Sequence, residues 1–363
     1  MAEPGLIRVR MREREGLARW IEERRDRGSL LYAELLRIVA EEDDLFALSL
    51  EARPGQMSAR VLLAAVYFQL LQNPQDPLAA FFPAITPEPL PPEQAGPAFR
   101  AFCRAHRSAL AEIMRTRTLQ TTFIERAVQI LLALDEVGRS IGGPFSLVEV
   151  GCSAGLLLLF DRYRYLFPDG GRLGADDAEV LVSNFQFLGP PPPIPAAFPR
   201  IARRVGLDLD PIDVADPDAR NWILACTSPE YVEHFRNLRT ALDFRARNPL
   251  ETIAGDAMRT LPRVLEEIEG PVCVLHSRCL YQWPEEAQLG FTAMLKELSS
   301  TREIHRVGIE RSNEAILARD ATGGGLNEIH HSIYREGAGR SRLLGTVQVK
   351  DRIRWLAAPR PGA

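Results

Sequence analysis

The chain has almost no lysine. Lys296 and Lys350 are alone among 363 residues, and every other permanently cationic side chain is arginine. That preference reads as coding bias rather than function. Cysteine is sparse: Cys103, Cys152, Cys226, Cys273 and Cys279 are odd in number and form no Cys-x-x-Cys pair. This argues against a disulfide framework or a structural zinc site. Long hydrophobic runs are missing. The longest, VLLAAVYFQLL at 61–71, is too short to span a bilayer and predicts a buried helix. The opening MAEPGLIRVRMRERE lacks an apolar signal core, so the expectation is a cytoplasmic protein without membrane contact. A large net charge is also absent. At -4 the chain has no overall electrostatic hold on nucleic acid, and the arginines of RVRMREREGLARW predict a solvated helix.

What is present is an ordinary globular mixture, with 46% hydrophobic and 25% charged residues. The length suits two domains. Residues 1–143 read as an all-helical domain. GLARWIEERRDR and SLLYAELLRIVAEEDDLFAL carry apolar residues at helical spacing, with Ser29 as the expected N-cap and Ser58 opening the next helix. Proline-rich TPEPLPPEQAGP at 86–97 reads as a loop, and helical periodicity resumes to about 140.

Residues 144–363 follow a different pattern. FSLVEVG, RRVGLDLDP at 203–211, GPVCVLHS at 270–277 and IHRVGIERS at 304–312 are short apolar runs separated by helical stretches. Strands alternating with helices predict an α/β fold with a parallel sheet covered on both faces. EIHHSIYREG, SRLLGTVQV and DRIRWLA predict an antiparallel C-terminal edge. His330 and His331 would point to opposite faces there, so they make no simple metal site. Gly323, Gly324 and Gly325 read as a flexible connection before these strands. Residues 166–200, with SNFQFLGPPPPIPAAFPR, read as an insertion.

The turn Gly151-Cys152-Ser153-Ala154-Gly155 lies between an apolar run ending in Glu149 and a long apolar stretch, LLLLFDRYRYLF, expected to be a helix. Such a turn leaves backbone N–H groups free for polar ligand atoms. The spacing is not the Gly-x-Gly-x-x-Gly of dinucleotide folds, and a P-loop is excluded by the missing Gly-Lys-Ser/Thr. Cys152 reads as a small buried residue rather than a nucleophile.

The pattern resembles the first motif of S-adenosylmethionine-dependent methyltransferases. The resemblance implies a Rossmann-like methyltransferase sheet with S-adenosylmethionine held by Glu149, Gly151, Ser153 and Gly155. VGLDLDP resembles the second strand of that family, which implies Asp208, or Asp210 in second place, for the ribose hydroxyls. Asp176 and Asp177 are rivals if EVLVSNF is the second strand instead. The Gly-Asp-Ala at 255–257 implies Asp256 near the adenine amine, with a helix N-cap as an equal alternative. PVCVLHSRCLYQWPEE then resembles the fourth strand, whose exit faces the methyl group. His276 and Tyr281 are the catalytic candidates there, with His276 as a base or as a structural histidine. Gln120, Thr121 and Thr122 could line an acceptor pocket. Over most of its length the chain also resembles the bacterial family of unknown function DUF2332, through SLLYAELL, LQTTFIERA, VEVGCSAGLLLLFDRYRY, RRVGLDLDPIDV and VCVLHSRCLYQW. The expectation is therefore a methyl transfer to an unidentified small-molecule acceptor. The alternatives are a non-catalytic ligand-binding or interaction protein and a nicotinamide-dependent oxidoreductase.

Overall fold

The computed structural model describes residues 3–311, 327–348 and 352–356, so the Gly323–Gly325 connection lies outside the described residues. The helices are α1 (Glu3–Asp26), α2 (Leu30–Glu41), α3 (Asp43–Ser49), α4 (Ser58–Gln72), α5 (Gly96–Ala105), α6 (Arg107–Thr116), α7 (Arg126–Ile141), α8 (Pro217–Ala225), α9 (Val232–Arg247), α10 (Ala257–Glu267) and α11 (Glu285–Leu298). The contacts gather into two compact units. One is Met1–Thr122 with Ala215–Arg239, and the other is Phe123–Val214 with Thr240–Ala363. By contacts, α7 therefore belongs with the sheet and α8 with the N-terminal helices.

The helical unit is built around α4, where Val61 to Leu70 are buried except for Gln69. That all-round burial is what the apolar run at 61–71 requires. The return segment 215–239 is fastened by polar contacts. Trp222 donates from Nε1 to the Thr118 carbonyl at 2.8 Å and meets Phe68 edge-on at 5.9 Å. Ser29 is the N-cap residue of α2 but its side chain makes no cap bond. Glu230 does that work instead. Its Oε1 accepts from the Leu31 N–H at 2.5 Å, and its Oε2 accepts from the Ser228 hydroxyl at 2.7 Å. An acid 199 residues away in sequence thus satisfies an orphan amide of the first turn, where negative charge is also favoured by the helix dipole.

The strands are β1 (Phe145–Val150), β2 (Arg164–Leu166), β3 (Arg172–Leu173), β4 (Leu181–Val182), β5 (Gln186–Phe187), β6 (Ile201–Asp208), β7 (Glu251–Ala254), β8 (Val272–Ser277), β9 (Ile304–Arg311), β10 (Asn327–Arg335), β11 (Ala338–Gln348) and β12 (Arg352–Trp355). Nine of them form one sheet in the order β5-β12-β11-β10-β9-β8-β1-β6-β7. From β9 to β7 all neighbours are parallel, while β10, β11 and β12 pair antiparallel. The fold is mixed α/β, with a large, mostly parallel sheet and an N-terminal helical region. Side chains alternate across the sheet. Val148, Val150, Val205, Leu207, Val272 and Val274 pack with α10 and α11 on one face. Leu147, Glu149 and Gly206 turn to the other, as the period of two requires.

The segment after the glycine turn departs from expectation. LLLLFDR forms a 3-10 stretch, Leu156–Arg162, kinked at Leu159, and RYL then becomes β2. All five residues from Leu156 to Phe160 are buried. The tyrosines either side of Arg164 tie the strand down, with Tyr163 and Tyr165 donating to the carbonyls of Leu156 and Phe160 at 2.5 and 2.7 Å. The expected insertion is where β2, β3 and β4 form a separate three-stranded sheet. EVLVSNF supplies only Leu181–Val182 to it, so β6 is the strand that pairs with β1.

The long-range cap gives a direct prediction. Glu230→Ala should destabilise the helical unit by about 1–2 kcal/mol, the usual loss for an N-cap. Thermal unfolding measures this, and an unchanged midpoint would contradict the cap.

Candidate functional site

The carboxyl ends of five parallel strands lie side by side. They bring together Asp256 after β7, Asp208 and Asp210 at β6, the glycine turn after β1, and Arg278 to Tyr281 after β8. Gly151, Ser153 and Gly155 all take positive φ, at 77°, 52° and 70°. Ser153 is thus a non-glycine residue in a left-handed conformation, held there by its surroundings.

Four of the five amides of the turn are already paired. Gly151 and Cys152 donate to the Leu207 carbonyl at 2.8 and 3.2 Å, and Gly155 donates to the Cys152 carbonyl at 2.7 Å. Ser153 N–H donates to Asp208 Oδ2 at 2.7 Å. No α-helix follows, so the expected array of free helix N-terminal amides is not formed. The glycines answer to protein neighbours. A Cβ on Gly151 would lie 2.3 Å from the Cys279 sulfur, and one on Gly155 would lie 3.2 Å from Leu250. Cys152 packs in the same way, since a Cβ on Gly206 would meet its sulfur at 2.6 Å.

The acids divide by environment. Asp208 is half-buried; its other oxygen, Oδ1, accepts from the Asp210 N–H at 3.0 Å. Asp256 is exposed and caps α10, accepting from the Met258 N–H at 2.9 Å. Asp176 and Asp177 lie in the turn before β4, away from the large sheet's carboxyl edge. Leu209, between Asp208 and Asp210, is 76% exposed. Glu149 differs from all of these. It is buried, and its Oε2 has no hydrogen-bond partner among the described residues. Burial pushes its carboxyl up to about 8, opposed by the charge of Arg126 and assisted by that of Asp208. Arg126, at the start of α7, donates to the Ser277 carbonyl at 3.3 Å and so links this acid to the β8 exit.

His276 does not face the crevice as a base. It lies flat over Gly308, its register partner on β9, where a Cβ would meet the imidazole Cε1 at 2.7 Å. Arg306 and Glu310 flank that glycine on the same face of β9. Arg306 Nε donates to His276 Nε2 at 2.8 Å, and His276 Nδ1 bonds Glu310 Oε1 at 2.8 Å. Arginine cannot accept, so the proton is on Nδ1 and the neutral tautomer is set. Burial first, then Arg306, holds the imidazole down to about 4. With both nitrogens engaged in a fully buried ring, the expected base role gives way to a structural one. Tyr281 is half-buried in the short 3-10 turn Leu280–Gln282, with the Arg311 guanidinium 4.7 Å from its ring centre.

Arg306, Gly308 and Glu310 were not assigned from sequence. Their signal is the period-two R-x-G-x-E in HRVGIER, a cation, a space and an anion on one strand face. Arg126 sits in the quoted stretch LQTTFIERA without an assigned role. Gln120, Thr121 and Thr122 lie in the irregular segment 117–123. His330 and His331 point to opposite faces as expected: His330 meets Glu328 at 2.9 Å and His331 meets His305 at 2.8 Å. Among the described residues no group of three or more acids, histidines or cysteines could hold a metal ion. No described helix is long and apolar enough to cross a membrane. An open groove of about 760 Å³ lies at the opposite edge, around Pro271, Arg302 and Glu303. It adjoins the amino ends of β8 and β9, whereas ligands of parallel sheets gather at the carboxyl ends.

The Glu149 carboxyl should make stability depend on pH. Folded, it keeps its proton from its ordinary 4.5 up to about 8, while the unfolded chain releases it. Its contribution is complete below pH 4.5 and is lost as pH rises through about 8. Glu149→Gln should therefore melt near the wild type at pH 5 and be more stable by about 1–3 kcal/mol at pH 9. Equal melting curves at both pH values would contradict the buried, unpaired carboxyl.

No curated protein and no solved structure matches the chain. One family model does, over residues 14–355, described as an uncharacterised protein conserved in bacteria, DUF2332. That match spans nearly the whole chain and includes both the glycine turn and the His276 network, so the chain belongs to the DUF2332 family.

Proposed function

We propose that the protein binds S-adenosylmethionine at the carboxyl edge of the sheet, in a Rossmann-like methyltransferase domain, and transfers its methyl group to a small-molecule acceptor. The observation that carries this reading is Glu149, a buried carboxyl with an orphaned oxygen beneath the glycine turn. An unpaired buried acid is a standing cost, which a cationic ligand group would offset. S-adenosylmethionine supplies an electrophilic methyl group and carries such a cation in its amino group. The carboxyl is enclosed, so the turn must part for a ligand to reach it. The strand order adds support. With β1 counted first, β7-β6-β1-β8-β9 is a 3-2-1-4-5 order, and it reverses between β1 and β8, where doubly wound sheets bind ligands. Asp208 and Asp210 supply acceptors for ribose hydroxyls, Leu209 gives an exposed apolar surface for a base, and Asp256 lies at the neighbouring strand exit. With four of its five amides paired, the turn offers little to a pyrophosphate, hence to a nicotinamide dinucleotide.

In this reading the chain's own residues bind and orient. Glu149 holds the cation once the turn parts, and Asp208 offers its remaining lone pairs. A second reading, ligand binding without turnover, is favoured by His276, whose nitrogens are both occupied. It leaves Tyr281 as the one catalytic candidate from sequence that is partly accessible.

Calorimetric titration with S-adenosylhomocysteine and with NAD tests the proposal. The sulfur ligand should bind and NAD should not. Binding at pH 7 should release protons, seen as a buffer-dependent enthalpy, because the cation draws Glu149 into its ionised form. Glu149→Gln should weaken affinity by roughly tenfold or more and abolish the proton release. Tighter binding of NAD, or no binding of S-adenosylhomocysteine, overturns the reading.

A further inference from the structure

The turn after β8 is strained. Arg278 takes a φ of 54°, a left-handed conformation that a bulky side chain adopts at a cost of about 1–2 kcal/mol. Strain of this kind persists only where the surroundings over-determine it. Three contacts do so. Arg278 N–H donates to the Ile309 carbonyl at 2.8 Å. The N–H groups of Cys279 and Leu280 both donate to Glu310 Oε1 at 3.1 Å, the same oxygen that meets His276 Nδ1. Glu310 is fully buried.

The network behind Glu310 is anchored away from the crevice. Arg306 holds His276 from the other side and bonds Thr292 Oγ1 of α11 at 3.1 Å and the Tyr334 hydroxyl of β10 at 3.2 Å. Its guanidinium also lies 5.3 Å from the Phe291 ring centre. One carboxylate oxygen of Glu310, Oε1, takes all three contacts, from His276 and from the Cys279 and Leu280 amides. The turn it holds carries Cys279, which fills the space above Gly151. The wall between the β8 exit and the glycine turn is set by this contact.

We infer that Glu310 is a positioning residue of the crevice: braced by His276 and Arg306, it holds the strained β8-exit turn against the glycine turn and so sets the shape in which a ligand is received. This rests on the ligand reading above for its consequence, though not for its geometry. Glu310 touches no ligand in this account. It acts through the Cys279 and Leu280 amides.

Two readouts test it on the full chain. Amide hydrogen exchange compares Cys279 and Leu280 with Val274 in the middle of β8. In Glu310→Ala the two turn amides should exchange at least about tenfold faster while Val274 keeps its rate, and Glu310→Gln, which restores a neutral acceptor, should recover most of the protection. S-adenosylhomocysteine affinity should follow: about tenfold or more weaker in Glu310→Ala, and within about threefold of wild type in Glu310→Gln. Glu230→Ala, destabilised at the α2 cap, which shares no partner with the Glu310 network, should leave affinity within about twofold. Unchanged protection of Cys279 and Leu280 in Glu310→Ala overturns the inference, as does unchanged affinity once the turn is loosened. If wild type binds no S-adenosylhomocysteine, the proposed function falls and the exchange comparison alone decides the positioning. If Glu310→Ala does not fold, Glu310→Gln decides: the turn amides should exchange about threefold faster than in wild type with Val274 unchanged, and equal rates overturn the inference.

Discussion

The carboxylate of Asp208 holds the glycine turn in the conformation on which the crevice depends. It accepts from the Ser153 N–H with one oxygen and from the Asp210 N–H with the other. Three left-handed residues in five, one of them a serine, would not persist in an isolated peptide. Docking the turn on the end of β6 consumes three of its amides, and Leu209 beside Asp208 is exposed. The same docking brings Gly151 against Cys279, and Cys279 is in turn fixed from β9 through Glu310. The crevice is thus shaped from both sides by carboxylates that bind backbone N–H groups, half-buried Asp208 and fully buried Glu310.

These carboxylates work in different ways. Glu310 is anchored through one oxygen, Oε1, on which His276 and the Cys279 and Leu280 amides converge with Arg306 behind the histidine, while its Oε2 is buried without a hydrogen-bond partner among the described residues. Glu149 also leaves a buried oxygen over, and what sets it apart is a carboxyl that keeps its proton well into the neutral range. A fold selected only for stability would replace Glu149 by an amide or an apolar residue. Its presence at the one edge of the sheet where ligands of such folds gather is the kind of local inconsistency that accompanies function.

Much of this was legible in sequence because it depends on period and punctuation. The parallel strands stand out as apolar runs, the antiparallel edge as alternation, and Glu149, Asp208 and Asp256 as acids at strand ends. Two kinds of feature were not legible. The first is the fate of LLLLF, where an apolar run fits either a buried α-helix, as at 61–71, or a tightly packed 3-10 stretch. The second is long-range pairing. Glu230 capping α2 and Glu310 holding the β8 exit join residues 199 and about 30 positions apart in sequence, and a strand end or helix start does not reveal its distant partner. His276 is the instructive case. A histidine at a strand exit satisfies the pattern for a base, yet Gly308, which makes room for it, and its flanking Arg306 and Glu310 make it a structural element.

The central claim is that the Glu149–Asp208 edge receives an S-adenosyl ligand. The most direct measurement is a crystal structure of the protein grown with S-adenosylhomocysteine. The account predicts the ligand's amino group at Glu149, its ribose hydroxyls on Asp208 or Asp210, and its base against Leu209. Density for the ligand at any other edge of the sheet, or an unaltered glycine turn at saturating ligand, would contradict it.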